Sequence, residues 1–189
     1  TWHTEDAFHP LRPDYLALMC LRNPDFVATL VGSIRQLNLP DDIVDALFDC
    51  HFTIRPDKSH LEGGVVEESS LAHKRMKALN ESPPPIAVLY GDRKDPYLRV
   101  DPYFMERPEN AEAAAALDYL IGAMDAALIE LVLRPGEIVL LDNARVVHGR
   151  QAFTARFDGS DRWLKRINLT RDLRKSRASR ASVSSRSLL

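Results

Sequence analysis

His3-Thr4-Glu5-Asp6-Ala7-Phe8-His9-Pro10, near the start of the chain, is answered far downstream by Val146-Val147-His148-Gly149-Arg150. The first stretch holds a His-x-Glu pair, the second a distant histidine. On an extended strand residues i and i+2 point to the same face. His3 and Glu5 are therefore expected to project together, with Thr4 pointing away. Residues 138–143 read as a buried strand, and a short turn leads into Val146-Val147-His148, so a third donor arrives from a strand distant in sequence. Two imidazoles and one carboxylate on one face of a metal leave the opposite positions open, the ligand set of non-haem Fe(II) oxygenases. A His-x-Glu pair also arises by chance. The chain has a second, His60-Leu61-Glu62, beside Gly63-Gly64 in a polar stretch with no strand pattern, which reads as loop. The two pairs differ in what surrounds them.

After the first pair come Arg12-Pro13-Asp14-Tyr15 and Cys20-Leu21-Arg22-Asn23. Around the distant histidine stand Pro135-Gly136-Glu137, Val147-His148-Gly149-Arg150 and Asp161-Arg162-Trp163-Leu164-Lys165-Arg166. In this order the motifs resemble the clavaminate synthase-like Fe(II)/2-oxoglutarate-dependent oxygenases. More narrowly, the chain is similar to the branch that hydroxylates free amino acids, the asparagine and arginine β-hydroxylases. The resemblance covers about residues 2 to 175. It implies a double-stranded β-helix, or jelly-roll, barrel, mainly β with helical decoration (α+β). It also implies that the chain is the C-terminal half of such a barrel, incomplete at the N-terminus, because in the family the His-x-Glu motif falls near mid-chain.

The same resemblance implies the site. His3, Glu5 and His148 would hold Fe(II), with O₂ and 2-oxoglutarate as co-substrates. Arg162, fourteen residues after His148, would meet the far carboxylate of 2-oxoglutarate; a planar guanidinium pairs bidentately with a carboxylate, although an Arg on an exposed barrel rim is the plain alternative. Thr29 would sit near 2-oxoglutarate, or be an ordinary strand or helix Thr. Arg166, on the same strand face as Arg162, would meet the substrate's α-carboxylate. Asp57 and Ser59, in a lid segment, and Asp101 would hold the amino acid, since buried carboxylates suit ammonium or guanidinium partners. A turn residue after Pro56 and a strand-end cap ahead of Pro102 are the alternatives for the two acids. The implied reaction is hydroxylation of a free L-amino acid of arginine, asparagine or lysine type at C3, in specialised-metabolite or peptide-antibiotic biosynthesis. A catalytically impaired jelly-roll, or an oxygenase for a carrier-bound or non-amino-acid substrate, stays open beside it.

Composition agrees with one domain. Of the 189 residues 45% are hydrophobic and 28% charged, ordinary values for a globular protein. No apolar run approaches the roughly 20 residues needed to cross a bilayer, so no membrane role is expected. Cys20 and Cys50 make no disulfide framework, which points to a reducing cytoplasm. Six of the 25 Lys and Arg lie between Arg171 and Leu189 with one acid, Asp172, leaving the body with nineteen bases against twenty-six acids. An acidic body argues against nucleic acid as partner, and a small molecule is expected instead. Residues 176–189, rich in Ser and Arg, are expected to be a disordered tail after a domain over 1–175.

Hydrophobic patterning predicts strands over 15–21, 51–55, 86–90, 97–100, 137–142, 146–150 and 164–169. It predicts a capped helix after Pro40-Asp41, an Ala-rich helix over 109–127, and a long polar loop over 56–84 that suits a lid. Periodicity leaves the fold class open; the barrel comes from the resemblance.

Overall fold

The computed structural model describes residues 1–57 and 71–186. Two antiparallel sheets face one another. The first has four strands in the order β1 (Trp2–His3), β8 (Val146–Arg150), β3 (Thr29–Ser33), β6 (Ile129–Leu131). The second has three, in the order β7 (Ile138–Asp142), β2 (Tyr15–Arg22), β9 (Trp163–Leu169). β4 (Leu89–Asp92) and β5 (Asp95–Leu98) form a separate hairpin. The helices are α1 (Asp41–Phe48), α2 (Leu71–Glu81) and α3 (Ala111–Ala127). Among the described residues no helix is long and apolar enough to cross a membrane.

Period-two alternation explains why the sheets stack. Leu16, Leu18 and Cys20 of β2 turn to the gap between the sheets and pack with Leu133 and Leu141, joined by Val31, Val146 and Leu164. On β8 the intervening Val147 faces the other way, into a larger core with Trp2, Leu47, Leu117, Leu120 and Met124. That core seats α3, whose buried positions Ala113, Ala116, Leu117, Leu120 and Met124 repeat at helical spacing. Gly32 is required here, because a side chain on it would strike Met124. The layers thus run helices, four-stranded sheet, three-stranded sheet. The outer face of the last carries Met19, Ile138, Leu140, Ile167 and Leu169, all exposed.

Several expectations need correction. Residues 51–55 form no strand: Phe52 bridges Ile86 and Ile54 bridges Met105, two different partners, so no ladder propagates. The polar stretch 56–84 contains α2, whose solvated surface gives little apolar signal. β3 was not expected, because Gly32 and Ser33 interrupt its apolar run. α1 starts after Pro40 without a side-chain cap, Asp41 and Asp42 lying in its first turn instead. Toward the end of the chain a 3-10 helix, Leu173–Ser179, is followed by Arg180, which donates to the carbonyls of Leu173, Val183 and Ser185. A guanidinium hub supplies in polar bonds what the composition lacks in apolar burial. Asp14 ties this segment to the body by accepting from the Thr170 hydroxyl, the Arg171 N–H and the Lys175 ammonium.

Candidate metal centre and anion site

β1 and β8 pair antiparallel with His3 directly opposite His148, and cross-strand neighbours of this kind hold their side chains together. The two rings lie edge to face with centroids 4.7 Å apart. β1 can lie this close because position 149 is glycine; a side chain there would strike the Thr1 carbonyl. The strand is pinned at its start by the Trp2 indole, which donates to Asp125 of α3 at 2.6 Å. Beyond His3 the ladder stops. Thr4, fully buried, instead exchanges hydrogen bonds with Val100 through its hydroxyl and backbone. Glu5 then turns inward, and Asp6 follows at φ 49°.

The donor atoms of His3, Glu5 and His148 all lie within 4.8 Å of one another. Glu5 is 1% exposed, and its Oε2 stands 3.3 Å from His148 Nε2 and 4.0 Å from His3 Nε2. That oxygen is a buried acceptor with no well-aligned hydrogen bond, an arrangement that costs free energy unless a ligand satisfies it. Its other oxygen, Oε1, pairs with Arg166 at 2.7 Å. Burial pushes the Glu5 carboxyl up, but His148, Arg166 and His3 together hold it below its ordinary value. Burial, and then His148, push the His3 imidazole down to about 4, so it is neutral near pH 7 and its lone pair is free for a metal. Donors of one ion at about 2.1 Å lie about 3 Å apart when adjacent, so small side-chain rotations close this triad on a cation. The residues present fit a divalent iron.

A second feature lies beside it. Arg162, just ahead of β9, reaches across the gap and donates to the Thr29 hydroxyl of β3 at 2.7 Å. Thr29 is buried, and its strand neighbour across β8 is Arg150. Burial, then Arg150, lower the Arg162 pKa. Its Nε is buried without a hydrogen bond, and among the described residues no carboxylate pairs with it. A guanidinium so placed has the geometry and charge to receive an anion. The structure therefore brings together Arg162 and Thr29, which the sequence predicts to share one co-substrate. Arg166 stands across the gap from the metal triad, on Glu5 itself.

Asp101 is partly buried and follows Val100, the residue clamped by Thr4. Burial pushes its carboxyl up to about 6, Asp57 adds to this, and the Tyr103 and Phe104 N–H groups and His148 oppose it. Asp57 also acts electrostatically on His3, so both predicted substrate acids lie in the field of the triad. Ser59 and the second His-x-Glu pair, His60 to Glu62, lie outside the described residues. The raised Asp101 value fixes a pH effect. Between an ordinary 3.8 and about 6 the unfolded chain ionises Asp101 while the folded one keeps it neutral. Stability from this group is thus full at low pH, is lost as pH rises through that window, and the loss amounts to about 3 kcal/mol at pH 7. Asp101→Asn keeps the acceptor for Tyr103 and is expected to raise the melting temperature at pH 7 with little gain at pH 4. Equal gains at both pH values, in thermal melts, would overturn this.

Residues not foreseen also shape the site. Asn143 bonds the Glu5 backbone, and the Arg99 guanidinium donates to the Ala7 and Phe8 carbonyls at 2.5 and 3.0 Å, bracing the loop after Glu5. A buried Asn at the turn before the His148 strand was the one available signal.

Two facing antiparallel sheets with a His/Glu/His cluster and an adjacent buried guanidinium are the layout of a jelly-roll with a candidate metal centre. The chain belongs to the taurine catabolism dioxygenase TauD, TfdA family, whose pattern matches residues 63–168, a stretch holding His148 and Arg162. It is 49% identical over 195 residues to enduracididine beta-hydroxylase of Streptomyces hygroscopicus, covering 98% of this chain and 57% of that one. It is 46% identical over 196 residues to L-ornithine/L-arginine 3-hydroxylase of Catenulispora acidiphila, again covering 98% and 57%. The crystal structure of the non-heme iron oxygenase OrfP with Fe, succinate and (3S)-hydroxy-L-Arg superposes with a TM-score of 0.94 at 44% identity, covering 100% of this chain and 57% of that one. The chain thus spans a little over half the length of these relatives. The resemblance and the jelly-roll fold read from the sequence are borne out.

Proposed function

We propose that this chain carries the metal and co-substrate site of an Fe(II)/2-oxoglutarate-dependent dioxygenase that hydroxylates a free L-amino acid at C3. The observation that carries this reading is the convergence of His3, Glu5 and His148, with Glu5 Oε2 buried between two imidazoles without a well-aligned hydrogen bond. Residues 1–175 are read as the C-terminal part of the oxygenase domain. The substrate is a cationic amino acid of arginine type, with asparagine and lysine as the neighbouring possibilities; the acids Asp57 and Asp101 and the similarity to an enduracididine and an ornithine/arginine hydroxylase support this order. The setting proposed is cytoplasmic biosynthesis of specialised metabolites or peptide antibiotics.

His3, Glu5 and His148 would hold Fe(II), which would supply the redox chemistry by which O₂, 2-oxoglutarate and a C–H bond become succinate, CO₂ and an alcohol, one oxygen atom going to each organic product. Arg162, steadied by the Thr29 hydroxyl, anchors the distal carboxylate of 2-oxoglutarate. Arg166 receives the substrate's α-carboxylate, and ionised Asp101 its cationic group, so substrate affinity falls below about pH 6. The test is a screen of the twenty free amino acids with Fe(II), ascorbate and 2-oxoglutarate, reading succinate release and a product heavier by one oxygen atom. Turnover confined to arginine-like substrates supports the reading. Silence from every free amino acid would shift it to a carrier-bound substrate.

A further inference from the structure

We propose that Asn143 is a positioning residue for the metal carboxylate: its side-chain amide, from the turn that launches the His148 strand, sets where Glu5 stands. The inference rests on the metal-site reading above and deepens it.

The β1–β8 ladder ends at the His3–His148 pair, so Glu5 has no strand partner of its own. Asn143 supplies one. Its Oδ1 accepts the Glu5 N–H at 2.6 Å, and its Nδ2 donates to the Glu5 carbonyl at 3.0 Å and to the Pro13 carbonyl at 2.9 Å. One amide thus grips both backbone groups of the ligand residue, as a neighbouring strand would. Asn143 is 1% exposed, and its own N–H donates to the Asp14 carbonyl at 3.0 Å. Both its hydrogens and its acceptor are spoken for, in a place where water cannot substitute.

This grip matters because little else fixes the carboxylate. Among the described residues Oε2 has His148 Nε2 at 3.3 Å but no well-aligned hydrogen bond, and Oε1 meets a half-exposed Arg166 from the opposite sheet. The next residue, Asp6, is at φ 49°, in the left-handed region that Asp enters more readily than most residues, so the chain turns away directly after Glu5. The location of the carboxylate is therefore inherited from the Glu5 backbone. Asn143 lies in the turn between β7 and β8, five residues before His148. It makes Glu5 and His148 parts of one unit although 143 positions separate them. Outer-shell groups that orient a ligand are worth about 10–100-fold in metal affinity.

Asn23 provides a matched control. It too is a buried Asn, with its amide donating to the Val27 and Leu133 carbonyls and accepting the Val27 N–H, away from the metal ligands. Wild type, Asn143→Ala and Asn23→Ala are to be titrated with Co(II), reading the dissociation constant by calorimetry, the visible ligand-field spectrum, and the metal-free melting temperature. Both variants are expected to melt earlier without metal. Only Asn143→Ala is expected to bind Co(II) about 10–100-fold more weakly, with altered ligand-field bands. Asn143→Ser, which removes the grip on both Glu5 backbone groups without burying a charge, covers the case in which the alanine variant does not fold, and is expected to show a loss of the same kind. Asn143 variants that melt earlier yet bind Co(II) with the wild-type constant and spectrum would reduce Asn143 to a structural residue and overturn the proposal. A wild type that takes up no Co(II) at all would instead overturn the metal-site reading, and this inference with it.

Discussion

His148→Ala is expected to bind Fe(II) or Co(II) at least ~100-fold more weakly than the wild type, beyond what loss of an outer-shell partner costs, and to release no succinate. The reason is the geometry of the triad. Three donors lie within 4.8 Å of one another, and His148 is the one closest to the buried Glu5 oxygen, at 3.3 Å. Removing it leaves two donors, one of them a carboxylate whose nearest remaining cation is Arg166. Metal binding also stabilises the fold by RT ln(1 + [L]/Kd), about 2.7 kcal/mol at a hundredfold excess over Kd. The variant is therefore expected to show almost no rise in melting temperature on adding metal where the wild type shows a clear one. The metal-free melting temperatures of the two separate a folding defect from a binding defect. A His148→Ala protein with the wild-type metal response would sink the assignment of the centre.

Arg162→Ala is expected to raise the Kd for 2-oxoglutarate by roughly 10- to 200-fold, the equivalent of the 1.5–3 kcal/mol attached to a charged hydrogen-bonded pair. Metal affinity is expected to be unchanged, since Arg162 touches Thr29 and none of the three metal donors. Arg162→Lys is expected to fall between, keeping the charge but losing the planar fork. The stability of the ligand-free protein gives an independent check. Arg162 is partly buried, stands near Arg150, and has a buried Nε without a hydrogen bond. Its removal is expected to leave the ligand-free melting temperature unchanged or higher, the opposite of what a structural Arg would do. A large drop there, with 2-oxoglutarate affinity intact, would refute its role as the anion receptor.

The convergence of His3, Glu5 and His148 was legible because its logic is local. A His-x-Glu spacing on extended backbone puts two donors on one side, and the alternation in Val146-Val147-His148 sends Val147 to the helices and His148 to the gap. Arg162 and Thr29 were legible only as a pair implied by resemblance; 133 positions separate them, and their hydrogen bond exists because β3 lies across the gap from β9. β3 itself was missed, since Gly32 and Ser33 break the apolar run that would mark a strand. Gly32 is there for α3, a packing requirement that no window of the strand can display. α2 was hidden for a related reason: most of its surface is solvated, and the stripe it turns to the core, with Met76 and Leu79, is thin.

By itself the sequence determined which chemistry is available: two imidazoles, a carboxylate and a guanidinium in an order that resembles one family, on strands whose alternation settles which side chains turn inward. Tertiary structure alone decided how those groups are held. Asn143 grips the Glu5 backbone across 138 positions, Arg99 braces the following loop across more than 90, and Arg166 crosses from the second sheet to the same carboxylate. Asn143 and Arg99 bond to backbone N–H and C=O groups, which every residue carries and no sequence pattern distinguishes. Their partners become specific only when the sheets pack and water is excluded, and at that point an unmet polar group becomes costly enough to select one arrangement.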